Sequence, residues 1–377
     1  MMQGGALQAA VDLRPMSFDD LPGVFKDDVA AFWTPFLRSC AAVVAEAPEL
    51  RRAVVPGAGQ RVASARALSL GYETTAARIT AYLRDHFDPC LILPREGDHR
   101  AFFTAYYRPE VRASLTRTAH FREPLFARPD DLVTLEPGQE NAVLRGFSSA
   151  RRQSDGTLVA YATRAEIDAG ALGERARPLA YVADAIEAFM IHVQGSARLV
   201  LDDGQALDLT YAGRNGQPYT SIGKILIERG DIKLEDMTLE RLKAWVRANG
   251  QEPGERGRAL LHTNQSFIFF SSAPADAAAP GPIGAAGLPL TPFRSIAIDR
   301  SVWPYGLPFW IDVDAPWSSA HDTPFKRLVI GQDTGTAIVG PARADLFFGD
   351  GPQAGHLAGS VRHHGRMFVL LPKDGLR

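Results

Sequence analysis

Two stretches near the C terminus decide the reading of this chain: Val329-Ile330-Gly331-Gln332-Asp333-Thr334-Gly335 and Arg343-Ala344-Asp345-Leu346-Phe347-Phe348-Gly349. In each, an aspartate sits beside a short apolar run and a glycine follows, the texture of a strand meeting a tight turn. Ser295-Ile296-Ala297-Ile298-Asp299-Arg300 repeats the pattern upstream. A carboxylate in such a place is either a hydrogen-bonding cap for the turn or a site acid. The residues alone leave both open.

Working outward, further short apolar runs predict strands at Ile296 to Ile298, Phe309 to Val313, Arg327 to Ile330, Thr336 to Val339 and Met367 to Leu371. Leu91 to Leu93 and Phe102 to Tyr107 read the same way. Many short strands with turn signals between them favour a closed barrel over a sandwich with long edges. Helical spacing appears in Val29, Phe32, Trp33, Phe36, Leu37, Cys40, Val43 and Val44, and again from Thr75 to His86. Asp184 to Val193, Ser221 to Arg229 and Leu239 to Ala248 predict three more helices. Between about 112 and 195, short strands with signals such as Ser154-Asp155-Gly156 suggest a separate β unit. Ala273 to Leu290, rich in Ala, Pro and Gly, reads as an exposed loop.

The chain has 377 residues, enough for two domains, with 46% apolar and 22% charged residues and a formal net charge of -2. That balance gives no field to collect nucleic acid. No apolar run has the length to span a bilayer. The start, Met1-Met2-Gln3-Gly4-Gly5, shows no signal peptide, so an exported enzyme would have its leader removed or outside this sequence. Cys40 and Cys90 fit no zinc pattern and are either a disulfide or two buried thiols. His363-His364 point to opposite faces of a strand, so no metal is expected there.

Asp333-Thr334-Gly335 is also the signature of pepsin-like aspartic proteases. That chemistry needs two such aspartates sharing a proton, and the sequence holds no second Asp-Thr-Gly or Asp-Ser-Gly. The protease reading ranks low.

Several segments, in order, resemble one family. Asp333 to Gly359, through Gly351-Pro352-Gln353-Ala354-Gly355-His356-Leu357-Ala358-Gly359, is similar to the 3D domain of the membrane-bound lytic murein transglycosylase A family. Phe103-Thr104-Ala105-Tyr106-Tyr107-Arg108-Pro109, His192-Val193-Gln194-Gly195-Ser196-Ala197, Tyr211-Ala212-Gly213-Arg214-Asn215-Gly216 and Tyr219-Thr220-Ser221-Ile222-Gly223-Lys224 resemble it too. Val339 departs from it, standing where the family often has lysine, and Ala105 stands where glycine is usual.

The resemblance implies a mainly β fold: a double-psi β-barrel catalytic domain, an inserted second small β-barrel domain and a few flanking helices, with a glycan groove between the domains. Residues 1–111 would hold the N-terminal helices and the first part of the catalytic barrel. Residues 112–195 would be the inserted domain, and 196–377 the remainder, with the 3D region at about 293–372. It implies a lyase of peptidoglycan and murein turnover. The family cleaves the β-1,4 bond between N-acetylmuramic acid and N-acetylglucosamine and leaves a 1,6-anhydromuramyl end. The nucleophile is the muramic acid's own C6 hydroxyl, so one carboxylate can serve where glycosidases usually need two.

By position in the motif, Asp345 is the expected acid and then base. Thr104, Tyr106, Gln194, Gly195, Ser196, Ser221, Lys224, Asp333, Gly335, Arg343 and His356 are the expected substrate contacts. Arg343 is expected to point along the groove rather than pair with Asp345. Of Tyr106 and Tyr107, alternating in a strand, one should be core and the other open to a sugar ring. His356 would orient a loop beside Asp345. Gln194 to Ser196 also read as a helix C-terminal turn, Ser221 as an N-cap and Lys224 as a solvated charge. No cofactor is expected. The expected partner is peptidoglycan glycan, with cell wall synthesis or division proteins beside it. The expected place is the periplasm, in association with the outer membrane. No cysteine near the start supports a lipid anchor. The competing function is a wall-binding module that lacks the reaction.

Overall fold

The computed structural model describes residues 11–21, 23–95, 100–135, 144–276 and 278–373. Its strands, in chain order, are β1 (Val11–Pro15), β2 (Phe87–Pro94), β3 (Ala101–Arg108), β4 (Glu110–Ser114), β5 (Glu123–Phe126) and β6 (Leu132–Thr134). Next come β7 (Ser149–Arg152), β8 (Leu158–Val159), β9 (Pro178–Val182), β10 (Ser196–Leu201), β11 (Ala206–Arg214) and β12 (Ile268–Pro274). The last five are β13 (Ser295–Ala297), β14 (Pro308–Ala315), β15 (Thr323–Asp333), β16 (Arg343–Asp350) and β17 (Arg362–Pro372). The chain forms two compact units, residues 1–107 with 279–377, and residues 108–278.

In the first unit six strands close into a ring in the order β3, β17, β14, β15, β13, β16 and back to β3. β13 and β15 run parallel, whereas β14 pairs antiparallel with both β15 and β17. Closure leaves no free edge inside the ring, and β2 and β1 extend the sheet outward from β17. The helix Val29–Ala45, capped by the Asp28 carboxylate on the Ala31 amide, lays Phe32, Trp33, Phe36, Leu37 and Cys40 against Trp310, Leu328, Ile330, Phe368 and Leu370. Each large apolar side chain buried there contributes about 1.5–3 kcal/mol. Just ahead of the helix, buried Asp27 takes a bidentate pair from Arg294, at 2.5 and 2.9 Å, and a further bond from the Leu328 amide. Its charge is thus fully satisfied, the condition under which burial is tolerated.

In the second unit one six-stranded sheet runs β12, β11, β10, β4, β9, β5. A bridge between Ala127, just past β5, and Phe270 of β12 draws its two edges together. β6, β7 and β8 form a separate small sheet. The helix Ala185–Gln194 supplies Ala188 and Ile191 to one core, and Ile186, Phe189 and Met190 to another shared with the helices Ile222–Glu228, Leu239–Ala248 and Arg256–His262.

Several expectations need correction. The second unit runs to 278 rather than 195, because β10 to β12 hydrogen-bond into the sheet that holds β4 and β9. The chain crosses between units at 278/279, inside the segment read as a mere exposed loop. Past 280 that segment is largely buried: Ala285 O accepts from the Leu50 and Arg51 amides, and Ala286 N donates to Gln332 O. Gly281 and Gly284 fit there because a Cβ would lie 2.5 Å from Leu290 O and 2.6 Å from Leu290 Cδ2, respectively. Thr336 to Val339 is a turn, closed by Ile338 N on Gly335 O, and not a strand. Both cysteines are free, buried thiols, and burial pushes Cys40 up to about 12. Among the described residues no helix is long and apolar enough to cross a membrane.

Candidate active site

Alternation along a strand puts Phe102, Thr104 and Tyr106 on one face of β3, and Arg343, Asp345 and Phe347 on one face of β16. The two strands are neighbours in the barrel, so these faces meet. Thr104 stands between the charged pair. Its hydroxyl accepts from Arg343 Nη2 at 2.7 Å and donates to Asp345 Oδ1 at 2.5 Å. Arg343 spends its other nitrogen on the carbonyls of Ala344 and Phe102 and stacks over the Phe102 ring at 5.1 Å. No ion pair within 4 Å joins Arg343 to Asp345 among the described residues; Thr104 is bonded to both, and the guanidinium lowers the carboxyl's pKa through space.

The three aspartates separate cleanly. Asp299 is buried and caps a turn: Oδ1 accepts from the Ser301 amide and hydroxyl, and Oδ2 from the Gly340 amide. Asp333 ends β15 with three donors, the Tyr106 hydroxyl at 2.8 Å and the Ala285 and Thr334 amides at 2.9 and 2.8 Å. Asp345 has only the Thr104 hydroxyl. Its Oδ2 accepts no hydrogen bond from the described residues, and the side chain stays partly open to solvent. Burial raises the Asp345 pKa above the ordinary carboxylate range; Arg343 and Thr104 oppose that rise, and the like charge of Asp333 adds to it. Burial likewise raises Asp333 against its three hydrogen bonds. Of the three aspartates, Asp345 alone combines a raised pKa with an uncommitted oxygen, the state a proton donor needs.

Both tyrosines are buried, contrary to the alternation expected of them. Tyr106 is held between Asp333 and the Phe347 ring, 5.4 Å away, and burial with the neighbouring carboxylate keeps its hydroxyl protonated. Tyr107 lies against Gly355, where a Cβ would come within 2.7 Å of the ring. His356 is exposed in the helix Gly351–Ala358. Gly335 begins the turn after β15. His363 lies 3.3 Å from Asp322 and the His364 ring 5.0 Å from Phe102. No group of three or more His, Cys, Asp or Glu suited to a metal occurs among the described residues.

The remaining expected contacts lie in the second unit. Gln194 ends its helix, Gly195 caps it with φ +75°, and buried Ser196 opens β10. Ser221 caps the next helix by accepting from Lys224 N at 3.3 Å, and Lys224 is exposed, 3.6 Å from Glu228. Sequence reasoning missed what braces this turn. Buried Arg164 donates to His192 Nδ1 at 2.9 Å and to Ser266 O, and stacks on Phe189 and Phe267. It also missed Phe102 and the Ala285 amide. Phe102 is readable as the strand neighbour two before Thr104, whereas a backbone amide leaves no trace in sequence.

A closed barrel with an uncommitted carboxyl oxygen at Asp345, interrupted in sequence by a second β unit, defines a two-unit, mainly β protein. Two family models match it, "MltA specific insert domain" over residues 102–271 and "3D domain" over residues 294–371. A membrane-bound lytic murein transglycosylase A of Vibrio cholerae is 44% identical over 214 residues, 55% of each chain. The crystal structure of a membrane-bound lytic murein transglycosylase from Agrobacterium tumefaciens superposes with a TM-score of 0.82 at 29% identity, covering 96% of this chain and 98% of that one. E. coli MltA with bound chitohexaose gives 0.66 at 28% identity, covering 97% of each. The chain belongs to the membrane-bound lytic murein transglycosylase A family. It spans between 55% and 66% of the length of the curated relatives first matched.

Proposed function

We propose that this chain is a peptidoglycan lytic transglycosylase in which Asp345 is acid and then base. The observation that carries the reading is the carboxyl of Asp345: raised by burial, tethered at Oδ1 by Thr104 and free at Oδ2. Because Arg343 donates to the Thr104 oxygen, the only threonine proton points at Asp345 Oδ1. The acid proton then belongs on Oδ2. In the first half of the reaction that proton passes to the glycosidic oxygen as the bond from C1 of N-acetylmuramic acid breaks. In the second, the C6 hydroxyl oxygen bonds to C1 and its proton returns to Asp345. No water enters, and the side chain ends as it began. Holding the nucleophile in the same sugar replaces a second carboxylate.

The family membership and the oligosaccharide bound by the E. coli relative support a glycan substrate. Asp333 and Tyr106 brace the strand ends next to Asp345, Arg343 is turned to Thr104 and to backbone carbonyls rather than along a groove, and Gln194, Gly195, Ser196, Ser221, Lys224, Gly335 and His356 are assigned to glycan contact. The relatives are named membrane-bound, which supports work at the envelope; the periplasm, the outer membrane and association with wall synthesis or division proteins belong to the same proposal.

The test is digestion of purified sacculi with wild type and Asp345→Asn. Soluble 1,6-anhydromuropeptides from wild type and none from the variant support the reading. Binding without release, by either protein, would make the chain a wall-binding module instead.

A further inference from the structure

The second unit holds a polar pocket that the proposed reaction does not use. It has a volume of about 410 Å³ and is lined by Asp131, Arg151, Arg152, Gln153, Ser154, Asp155 and Arg175. Its floor is already neutralised. Asp131 takes Arg175 Nη1 on Oδ2 at 2.5 Å and the Tyr161 hydroxyl on Oδ1 at 2.9 Å, so both oxygens are occupied. Asp155 is turned to its own loop and accepts from the Thr157 amide at 2.9 Å, which lowers its pKa. That leaves Arg151 and Arg152, consecutive at the end of β7, whose guanidinium groups meet no carboxylate or hydrogen-bond acceptor among the described residues.

The backbone beneath them is set. Arg151 pairs with Leu132 on one side and Val159 on the other, and Arg152 N donates to Asp131 O at 2.8 Å. Although consecutive, both residues line the same pocket, Arg152 being the last residue of β7, where strand alternation ends; two unspent planar forks there make a receptor for planar anions, which guanidinium groups grip through paired hydrogen bonds.

We propose that the Arg151–Arg152 pocket binds the carboxylates of an acidic peptide, namely the peptide stems carried by peptidoglycan, and so favours stem-bearing strands. The inference rests on the wall-glycan reading above and adds a second recognition element to it. The chemistry is anion capture, so inorganic phosphate is the competing ligand to exclude.

The experiment uses the full chain and the Arg151→Gln/Arg152→Gln variant, with neither residue placed in the reaction. Two substrates are compared: intact sacculi, and glycan strands from which an amidase has removed the peptides. Wild type is expected to release product from stem-bearing strands about fivefold faster, and the double variant to lose that preference while its rate on bare strands is unchanged. Fivefold is about 1 kcal/mol in all, the scale of partly exposed charged contacts. In parallel, the arginine side-chain NMR signals are titrated with a free acidic tripeptide, its amidated form and inorganic phosphate. Shifts at Arg151 and Arg152 with the acid form alone are expected.

A preference retained by the double variant, or shifts with phosphate but not with the acidic peptide, would overturn the proposal. Loss of all Asp345-dependent release from both substrates would instead count against the glycan-cleaving reading, and the peptide titration would still decide the pocket.

Discussion

Thr104 settles how one side chain can keep a cation and an acid close without pairing them. Its oxygen is the acceptor for Arg343 and its proton the donor to Asp345, so one hydroxyl fills the space between the two charges while the cation still lowers the acid's pKa. Thr104→Val removes the bridge at nearly constant volume, and kcat on sacculi is expected to fall about 10- to 100-fold, the scale of one hydrogen bond to a charged group. Asp345→Asn should cost about a thousandfold. It should also stabilise the fold. The folded pKa of Asp345 lies above its unfolded value, so the ionised carboxyl is disfavoured in the native state. The stability is fully present below the unfolded value near pH 4 and lost as pH rises through the folded one. Melting at neutral pH should therefore show the asparagine variant more stable by roughly 0.5–2 kcal/mol, with the gain vanishing near pH 3. A gain that persists at pH 3 would contradict the buried-carboxyl account. Arg343→Met should move the alkaline limb of the pH–rate profile upward, because it removes a cation that lowers the Asp345 pKa. The residues placed Asp345 beside a short apolar run, as they did Asp299 and Asp333, and it was the resemblance to the family motif that singled it out. Its partnership with Thr104 was not legible, since sequence does not say which two strands of a barrel are neighbours.

At the scale of elements, charge and backbone conformation do work that hydrophobic pattern does not reveal. The helix over Val29–Ala45 was readable from its stripe, but the clamp beside it, Asp27 with Arg294, joins residues far apart in the chain. Asp27→Ala would leave the buried Arg294 without its counter-charge, and a loss of about 3–5 kcal/mol in urea unfolding is expected. The stretch Thr336 to Val339 looked like a strand because its residues are apolar or β-branched. Gly335 and Gly340, the latter at φ +108°, turn the chain back before pairing can form, and Gly340 N is taken by Asp299. In the second unit, burial and the Arg164 guanidinium hold His192 neutral. Its folded pKa lies below the unfolded value, so the unit keeps this stability above about pH 6.5 and loses it as pH falls. Thermal melts at pH 7.5 and 5.5 should show that loss in wild type, and a smaller one in His192→Gln; equal losses would contradict it.

For the whole molecule, closure of a barrel from many short strands was legible because strand length and turn spacing are local properties. The extent of the second unit was not. Its last strands, β10 to β12, follow a helix and look like a new beginning, and only hydrogen bonding to β4 shows that they complete one sheet. The crossing at 278/279 was masked by composition, because an Ala-, Pro- and Gly-rich run reads as surface even where it is buried against β15. Family membership joins the two units into one reading of the chain, and the central claim is chemical: the leaving sugar is displaced by an alcohol of its neighbour and not by water. Mass spectrometry of muropeptides released from sacculi tests it most directly. The account predicts ends lighter by one water, carrying no oxygen from isotopically labelled solvent, and absent with Asp345→Asn. Reducing ends that contain solvent oxygen would contradict it.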